Sequence, residues 1–512
     1  MRALARVVAE NAARDPSGIA FREGSRELSW LDYHERSDRF AGVLAGSDLV
    51  PGDRVAVWLP DGPGVHAVWL ACEKAGLVVV GIGPRAGPAE VRHLLQKTAA
   101  AALVSPARQR EVDARALFEE LRGAGFGLRH HWIVAGDLEA GEAVFAGGSG
   151  VGWEERAIDP DALFLLNSTS GTTGLPKCVT QHQARWFHFH ALAVEAADLS
   201  ERDVFMSLLP APFGFGLWTA HFTPALLGAP TLLMERFDPD RALAEIEAHR
   251  VSVLAAVSTQ FILLLNSPDI ERRDLSSLRV LFTGGEAVPT ERAIEFEERT
   301  GAAVLQFYGS NETGALSRTT LRDSRDVRLE SAGRVIDSMQ VRLFDEDGAD
   351  VTETGRGQPG CRGALTCHGY YEDDAANAKL VREDGWMLTG DIATLEDGIL
   401  RVIGRAADFI IRGGKNISGP AVEAAVSTHP AIALAAAVAM PDPVFGERVC
   451  VYAELRPGAA LTLEALVAHL AEAGVSKEWF PERLEVVDAL PRASGGKVAK
   501  QALREDIRRR LG

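Results

Sequence analysis

A hydroxyl-rich loop between two short apolar segments has the residue types that bind phosphate. Residues 167–177 read NSTSGTTGLPK, so five Ser or Thr residues are grouped around two glycines and a lysine ends the run. Glycines let the backbone approach an anion, hydroxyl and N–H groups donate to it, and the lysine adds charge. The Walker pattern has Lys and Ser/Thr directly after its second glycine, whereas Leu175 and Pro176 intervene here. Because residues 162–166 and 178–180 read as buried strands, we predict a rigidly held phosphate-binding loop rather than a surface turn.

Two further loops follow apolar strands later in the chain. Residues 282–286 read FTGGE and residues 306–314 read QFYGSNETG. Both therefore lie at strand ends, where open α/β sheets bind ligands. Glu312 supplies a carboxylate suited to Mg²⁺, which prefers oxygen ligands and usually shares them with substrate phosphates. Tyr308 offers a flat aromatic face suited to adenine.

Two later motifs add charged groups that suit the rest of a nucleotide. Asp391 ends the run WMLTGD, and Arg405 follows Gly404. A carboxylate that accepts two hydrogen bonds and a guanidinium that donates in a fixed fork can together bind ribose hydroxyls. Lys497 lies in the glycine-containing run PRASGGKV near the end of the chain, where by itself it would be interpreted as a surface lysine.

Taken together and in this order, the motifs from residue 167 to residue 497 resemble those of the adenylate-forming enzymes: acyl-CoA synthetases, peptide-synthetase adenylation domains and firefly luciferase. The resemblance implies that ATP and a carboxylic acid form an acyl-adenylate and pyrophosphate, after which a thiol displaces AMP. It implies that Lys497 bridges the acid and the α-phosphate, that Glu312 holds Mg²⁺, and that Thr169 is catalytic with them. The implied ATP- and AMP-binding residues are Thr169, Ser170, Gly171, Thr172, Thr173, Gly174 and Lys177 around the phosphates; Gly285, Glu286 and Tyr308 around adenine; Asp391 and Arg405 at the ribose; and Gly309, Asn311, Glu312 and Lys497.

The resemblance also implies an acyl pocket near residues 212–218. Relatives that activate amino acids place Asp directly after the aromatic position that Phe213 matches, where it pairs with the substrate ammonium; this chain has Gly214. Because a buried ammonium without a counter-charge is costly, we predict an apolar acid, aromatic, alicyclic or medium-chain, rather than an α-amino acid. The residues assigned to this pocket are Phe213, Gly214, Trp218, Thr259 and Gly284. Each of the aromatic side chains Phe213, Phe215, Trp218 and Phe261 could either line the pocket or belong to the core.

Two positions depart from the family pattern. Asn311 stands where Thr usually precedes the Mg²⁺-binding acid, although an amide can still donate to a phosphoryl oxygen. Ala407 stands at the hinge, where Asp or Lys is usual, and cannot form a charged contact that holds one domain orientation. Residues 409–416, around Gly413 and Gly414, resemble the loop that turns inward to line the pantetheine tunnel.

The order of apolar segments predicts an α/β fold. Strands alternate with helices from residue 1 to about 400, which predicts a large N-terminal domain of parallel-rich sheets flanked by helices. Glycines and short strands at 364–403 predict a small β-rich portion within it. Residues 406–512 have their own strand and helix pattern and are long enough for a small α+β domain, so we place the boundary between 1–405 and 406–512. The resemblance implies that this domain is mobile.

Composition limits the alternatives. The chain has 512 residues, a net charge of -17 and 46% hydrophobic residues, which indicates a soluble globular protein and argues against nucleic-acid binding. The N-terminus has no long apolar core and no segment approaches the length of a membrane span, so we expect a cytoplasmic protein. The five scattered cysteines support neither a disulfide framework nor a zinc site. We attribute His182, His188 and His190 to helix packing or strand-end hydrogen bonds rather than to a metal site.

The sequence leaves several functions open. A carboxylate–CoA ligase is the leading interpretation, with ATP and CoA as co-substrates and Mg²⁺ as cofactor. A free-standing adenylation enzyme that loads a carrier-protein phosphopantetheine uses the same motifs. A non-catalytic acyl or nucleotide sensor is an alternative of another class, which the retained Glu312, Asp391, Arg405 and Lys497 argue against, and no feature favours a luciferase-like oxygenase. The acid, the acceptor and the oligomeric state stay open, with a homodimer among the alternatives.

Overall fold

A large mixed sheet crosses the N-terminal part of the molecule. The computed structural model describes residues 3–134, 152–168, 176–285, 288–405, 408–493 and 497–511. Six neighbouring strands of this central sheet run parallel, and helices form the crossovers between most of them, as parallel pairing requires. In spatial order these strands are Ala303–Ser310, Val280–Gly284, Val253–Ala255, Phe205–Ser207, Thr231–Leu233 and Ile19–Glu23, with Arg26–Ser29 added antiparallel at the edge.

The β-rich portion expected at 364–403 extends this sheet and is larger than the sequence indicates. Beyond Ala303–Ser310, the last of the parallel strands, the sheet continues with antiparallel strands from most of residues 314–405. They are, in spatial order, Gly314–Arg318, Arg334–Val335, Ile399–Arg405, Asp391–Glu396, Arg356–Gly363 and Met339–Phe344, with Met387–Leu388 paired to Arg356–Gly363.

A second sheet contains the strands that flank the hydroxyl-rich loop. Its order is Cys178–His182, Leu163–Ser168, Val78–Gly81, Arg54–Val57, Ala102–Ser105 and His130–Ile133. The first pair is antiparallel and the other pairs are parallel. The short strands Arg108–Gln109 and Val112–Asp113 form a separate hairpin. The loop thus leaves one strand of this sheet and returns as its neighbour, so the prediction of two flanking strands is confirmed.

The C-terminal part forms its own five-stranded sheet. Its strands are Lys415–Ser418, Phe409–Arg412, Gly446–Leu455 and Ile432–Asp442, with Arg483–Val487 paired parallel to Gly446–Leu455. Alternate residues of Ile432–Asp442 face opposite sides, as the two-residue repeat of a strand requires. Leu434 and Val438 join a cluster that also contains Leu264, whereas Ala435 and Ala437 join the cluster inside the C-terminal part. The strand therefore connects the small sheet to the large N-terminal part.

Helices cover the sheets, and the predicted α/β class is confirmed. Trp30–Ala45 begins with a capping box between Ser29 and Asp32, and Pro63 is the first residue of the helix Pro63–Lys74. Among the described residues, no helix is long and apolar enough to cross a lipid bilayer. The α-helices are Leu4–Arg14, Trp30–Ala45, Pro63–Lys74, Pro88–Lys97, Ala114–Gly123, Gln183–Ala197, Gly214–Gly216, Thr223–Leu227, Pro239–His249, Ser258–Asn266, Thr290–Thr300, Arg325–Glu330, Asp374–Leu380, Gly419–Val426, Leu463–Glu472 and Lys500–Leu511; Leu217–Phe222 is π-helical, and Trp153–Glu155, Pro268–Glu271, Thr352–Thr354 and Lys477–Trp479 are 3₁₀ turns.

Candidate active site

Two glycines end the strand Val280–Gly284 at the carboxyl edge of the central sheet. Gly284 has φ 155° and lies opposite Phe307 of the neighbouring strand, so a β-carbon there would overlap the Phe307 carbonyl oxygen. Gly285 has φ 77°, in the left-handed region that glycine adopts at low cost. The glycine pair therefore lets the backbone turn closely past the next strand end. Glu286, predicted to border adenine, lies outside the described residues.

The side chains of Tyr308, Asp391 and Arg405 meet at one edge of the β-rich portion. Asp391 and Arg405 are direct partners on neighbouring antiparallel strands. Arg405 Nε donates to Asp391 Oδ1 at 3.2 Å, and the Tyr308 hydroxyl donates to Asp391 Oδ2 at 2.7 Å. Burial, and then the nearby Asp391 carboxylate, raise the pKa of Tyr308 well above its usual value, so the phenol stays a donor. Two donors thus fix a carboxylate whose remaining lone pairs can accept hydrogen bonds from a diol.

Glu312 contacts a tyrosine that the sequence did not single out. The Tyr370 hydroxyl donates to Glu312 Oε1 at 2.8 Å, and Lys177 Nζ lies 4.6 Å from the centre of the Tyr370 ring. Tyr370 therefore brings the predicted Mg²⁺ ligand and the lysine of the phosphate loop to the same place. The described residues contain no cluster of three or more His, Cys, Asp or Glu side chains able to hold a metal. A single carboxylate beside a phosphate loop fits Mg²⁺ that shares its ligands with a nucleotide, rather than a metal caged by protein alone.

A buried arginine, which the sequence did not reveal, holds the loop that carries Glu312. Arg185 is 2% exposed, and its guanidinium donates to the carbonyl oxygens of Leu365 at 2.8 Å and Asn311 at 2.9 Å. It also donates to Gln181 Oε1 at 2.6 Å and reaches the Glu312 carbonyl oxygen at 3.5 Å. Burial lowers the pKa of Arg185 to about 10, so the group is still cationic at neutral pH. One cation therefore ties together segments that lie more than a hundred residues apart in sequence.

The Lys497 side chain reaches from the C-terminal part to Gly285 of the N-terminal part. Arg492 pairs antiparallel with Val498, and the Ala493 N–H donates to the Lys497 carbonyl oxygen at 2.8 Å. The Lys497 ammonium donates to the carbonyl oxygen of Gly285. A β-carbon at Gly285 would lie 2.9 Å from that ammonium nitrogen. The structure thus places the predicted catalytic lysine at the edge of the site formed by the N-terminal part.

The residues assigned to the acyl pocket fall into two environments. Trp218 is 1% exposed and packs against Phe282 and Phe307, and Phe261 is buried beside Phe296 in another cluster. Phe213 and Phe215 are half-buried, and Thr259 is buried in the first turn of Ser258–Asn266. Trp218 and Phe261 therefore contribute to the core, while Phe213 and Phe215 keep part of their surface accessible. Gly214 is buried, and its N–H donates to Asn311 Oδ1 at 2.9 Å.

Other predicted residues lie away from this centre or outside the described residues. Gly413 and Gly414 form the turn between Phe409–Arg412 and Lys415–Ser418, with φ 59° and 82°, and both are exposed. Gly309 lies within the strand Ala303–Ser310, between Tyr308 and the Asn311–Glu312 pair. The residues outside the described part are Ala407 and, in the phosphate loop, Thr169, Ser170, Gly171, Thr172, Thr173 and Gly174.

The three histidines after the phosphate loop have separate contacts. His182 stacks on His368 with ring centres 4.5 Å apart, and His188 Nε2 lies 2.7 Å from Ser338 Oγ. Burial lowers the pKa of both His182 and His190 to about 4, which keeps these rings neutral.

Comparison with known proteins gives matches over both parts of the chain. Residues 8–371 match the AMP-binding enzyme family, and residues 421–497 match the AMP-binding enzyme C-terminal domain. The chain is 32% identical to the medium-chain fatty-acid–CoA ligase of Escherichia coli (strain K12), over 92% of this chain and 84% of that protein. It is also 32% identical to the salicyl-AMP ligase / salicyl-S-ArCP synthetase of Mycobacterium tuberculosis, over 98% of this chain and 90% of that protein.

Solved structures give the same similarity at the level of the fold. The anthranilate CoA ligase AuaEII in complex with anthranoyl-AMP superposes with a TM-score of 0.89 at 22% identity, covering 99% of this chain and 97% of that one. The amide bond synthetase McbA from Marinactinospora thermotolerans gives a TM-score of 0.82 at 26% identity, covering 98% of both chains. The similarity therefore extends over the N-terminal sheets and the C-terminal sheet together.

Proposed function

This chain belongs to the AMP-binding enzyme family of ATP-dependent, adenylate-forming ligases, and we propose that it joins an apolar carboxylic acid to CoA. The observation that carries the proposal is the position of Lys497, whose ammonium reaches Gly285 at the end of a central strand. Gly284 pairs with Phe307, so this position adds a cation beside the strand that contains Tyr308 and ends just before Glu312. A non-catalytic sensor would have no need of a lysine that the C-terminal part places there.

In the proposed first step, the acid's carboxylate oxygen attacks the α-phosphorus of ATP in line, and the bond to pyrophosphate breaks. The carboxylate is already ionised at neutral pH, so no general base is required. Catalysis then consists of orientation and of stabilising charge on the phosphoryl oxygens. Lys497 is the group we assign to that charge, and Asp391 and Arg405 hold the ribose. Mg²⁺ bound through Glu312 would neutralise phosphate charge when present.

In the proposed second step, a thiol sulfur attacks the acyl carbonyl carbon and the bond from that carbon to the phosphate oxygen breaks. AMP leaves, and the thiol proton passes to solvent. We assign the turn at Gly413 and Gly414 to the pantetheine path, with Ala407 as the hinge that reorients residues 406–512. In the described orientation the Lys497 ammonium donates to the Gly285 carbonyl oxygen, which supports our assignment of this orientation to the first step.

An apolar acid is the proposed substrate because the acyl side offers aromatic surface and no acidic anchor at residue 214. Phe213 and Phe215 are the half-buried aromatic side chains that we assign to this surface. The relative with the medium-chain fatty-acid–CoA activity and the salicyl-AMP relative both act on acids without an α-ammonium group, which supports the same class.

The acceptor is the less constrained half of the proposal, because relatives of equal identity use CoA or a carrier protein. CoA differs from a carrier arm by its nucleotide, whose phosphates favour basic residues at the tunnel entrance. Arg412 and Lys415 flank the Gly413–Gly414 turn and pair with Glu482 and Glu478. Because partly exposed ion pairs are weak, a phosphate can compete for these cations, and this supports CoA as the acceptor.

The test is a panel of carboxylic acids with ATP, measuring AMP and thioester with and without CoA. Aryl, alicyclic and medium-chain acids should release AMP, and CoA should convert the adenylate to a thioester. A parallel reaction with a phosphopantetheinylated carrier protein distinguishes the alternative acceptor. Thioester on the carrier protein but none on CoA would replace the CoA ligase by the adenylation enzyme, and no AMP with any acid would contradict both.

A further inference from the structure

The carboxamide of Asn311 joins the nucleotide side of the site to the acyl side. Its Oδ1 accepts a hydrogen bond of 2.9 Å from the backbone N–H of Gly214, although the residues are 97 positions apart. Asn311 belongs to the loop between Ala303–Ser310 and Gly314–Arg318, directly before Glu312. Gly214 begins the helical segment that continues through Leu217–Phe222 and is preceded by Phe213. Because a backbone N–H can only donate, the network itself identifies Oδ1 as the contacting atom.

The contact leaves no space for a side chain at residue 214. A β-carbon built on Gly214 would overlap Asn311 Oδ1 and would lie 3.2 Å from Cη2 of the Trp186 ring. The φ of Gly214 is not in the left-handed region, so sterics rather than backbone conformation select glycine here. Only a residue without a β-carbon therefore fits at position 214 while the Asn311 carboxamide has this position.

The main chain of Asn311 is also held by a buried side chain. Arg185 donates to the Asn311 carbonyl oxygen at 2.9 Å and is itself held by Leu365 and Gln181. The main chain of Asn311 therefore cannot shift without leaving a buried carbonyl oxygen without its donor, which is costly. On the other side, Leu217 N–H donates to the Phe213 carbonyl oxygen at 2.9 Å, so the hydrogen bond to Gly214 acts on the first turn after Phe213.

We propose that Asn311 is a positioning residue that sets the acyl specificity: its amide fixes the turn after Phe213 and keeps residue 214 free of any side chain. The inference rests on the proposed function and refines it, because an acidic anchor for an ammonium group cannot be introduced at 214 while Asn311 is present. The substrate class that fits is a carboxylic acid with no cationic group next to its carboxylate.

A double-mutant cycle of Gly214→Ala and Asn311→Ala tests this coupling. Gly214→Ala should raise KM for the acid by about tenfold or more, while KM for ATP changes much less. In the Asn311→Ala background the same change should cost several-fold less, because the clashing amide is gone. Gly127→Ala is the matched control, since Gly127 is exposed and a β-carbon there meets nothing within 4 Å.

Thermal unfolding of the same four proteins gives a readout that does not depend on activity. The stability losses of the two single variants should also be non-additive in the double variant. Additive effects on both KM and stability would contradict the coupling between Asn311 and Gly214. Equal changes in KM for acid and ATP would contradict a role of Asn311 in acyl specificity and would show that its role is structural only. If the parent enzyme activates no acid at all, the proposed function fails, while the unfolding cycle still decides whether the contact exists.

Discussion

Removing the ammonium of Lys497 should separate the two half-reactions. The side chain reaches from the C-terminal part to the Gly285 carbonyl oxygen, so its charge is present at the site only while the two parts of the chain have this orientation. Lys497→Ala deletes that charge without leaving a buried acceptor, because Gly285 is exposed and its carbonyl can bind water. The variant should therefore fold normally.

The size of the effect follows from the position of the charge. Lys497 is half-buried, so an effective dielectric constant of about 20 applies, and two unit charges roughly 4 Å apart then attract by ~4 kcal/mol. Deletion of one preorganised donor at a developing oxyanion typically costs ~10²–10³ in kcat, or roughly 3–4 kcal/mol. The two estimates agree, so we expect adenylate formation to fall by about that factor.

Each half-reaction is measured separately on the same variant. Acid-dependent pyrophosphate exchange reports the first step, and thioester formation from a supplied acyl-adenylate and CoA reports the second. Lys477→Ala, which removes an exposed lysine of the C-terminal part, is the control and should change neither rate. Equal losses in both steps, with folding verified, would refute the alternation of the domain, and an unchanged first step would remove Lys497 from the active site.

Three further variants probe other parts of the site. Tyr308→Phe removes one of the two donors to Asp391 and should raise KM for ATP roughly tenfold in steady-state assays, with KM for the acid unchanged; an equal rise in both would contradict a ribose role. Arg185→Met leaves buried carbonyl groups without their donor and should lower the free energy of unfolding by about 2–4 kcal/mol in urea titrations, and a neutral result would show that water replaces the guanidinium. Ala407→Pro fixes φ at the proposed hinge and should slow thioester formation more than pyrophosphate exchange, whereas parent rates in both would place the hinge elsewhere.

The sequence predicted the parts of the site that depend on local signals. Apolar strands followed by glycines predicted where the chain turns at the sheet edge, and Gly284 confirms the reason, because a β-carbon there would overlap the next strand. The β-rich portion was underestimated because strands such as Arg334–Val335 are too short to show an alternating pattern. The strand Ile432–Asp442 has a continuous apolar run, which both of its buried faces require.

Contacts between distant segments could not be predicted in the same way. Arg185 and Tyr370 are single polar residues without a local pattern, and a surface position is the ordinary expectation for arginine. Their importance arises only when the fold brings Leu365, Asn311 and Glu312 around them. The same holds for the hydrogen bond between Asn311 Oδ1 and the Gly214 N–H, which joins positions 97 residues apart. The carboxamide also has an NH₂ group, so the interpretation of Asn311 as a phosphate donor stays a prediction.

The charges of the C-terminal part suggest how it can rotate as a unit if the proposed alternation holds. Within this part, Asp408 pairs with Arg504, and Lys500 Nζ lies 2.8 Å from Glu423 Oε1, so the residue next to the proposed hinge is bound to the last helix. Contacts to the N-terminal part include Asn266 Nδ2 to the Ala433 carbonyl oxygen at 3.2 Å and Arg292 to the Ser427 carbonyl oxygen at 3.3 Å. Such single hydrogen bonds to carbonyls contribute about 1 kcal/mol each, and water can replace them after rotation. The ion pairs would therefore keep the C-terminal sheet and its last helix together, while the hydrogen bonds that must break are weak. Rotation must also separate Leu434 and Val438 from the cluster that contains Leu264, and this apolar packing is the larger cost. An alanine at residue 407 adds no charged contact that favours either orientation.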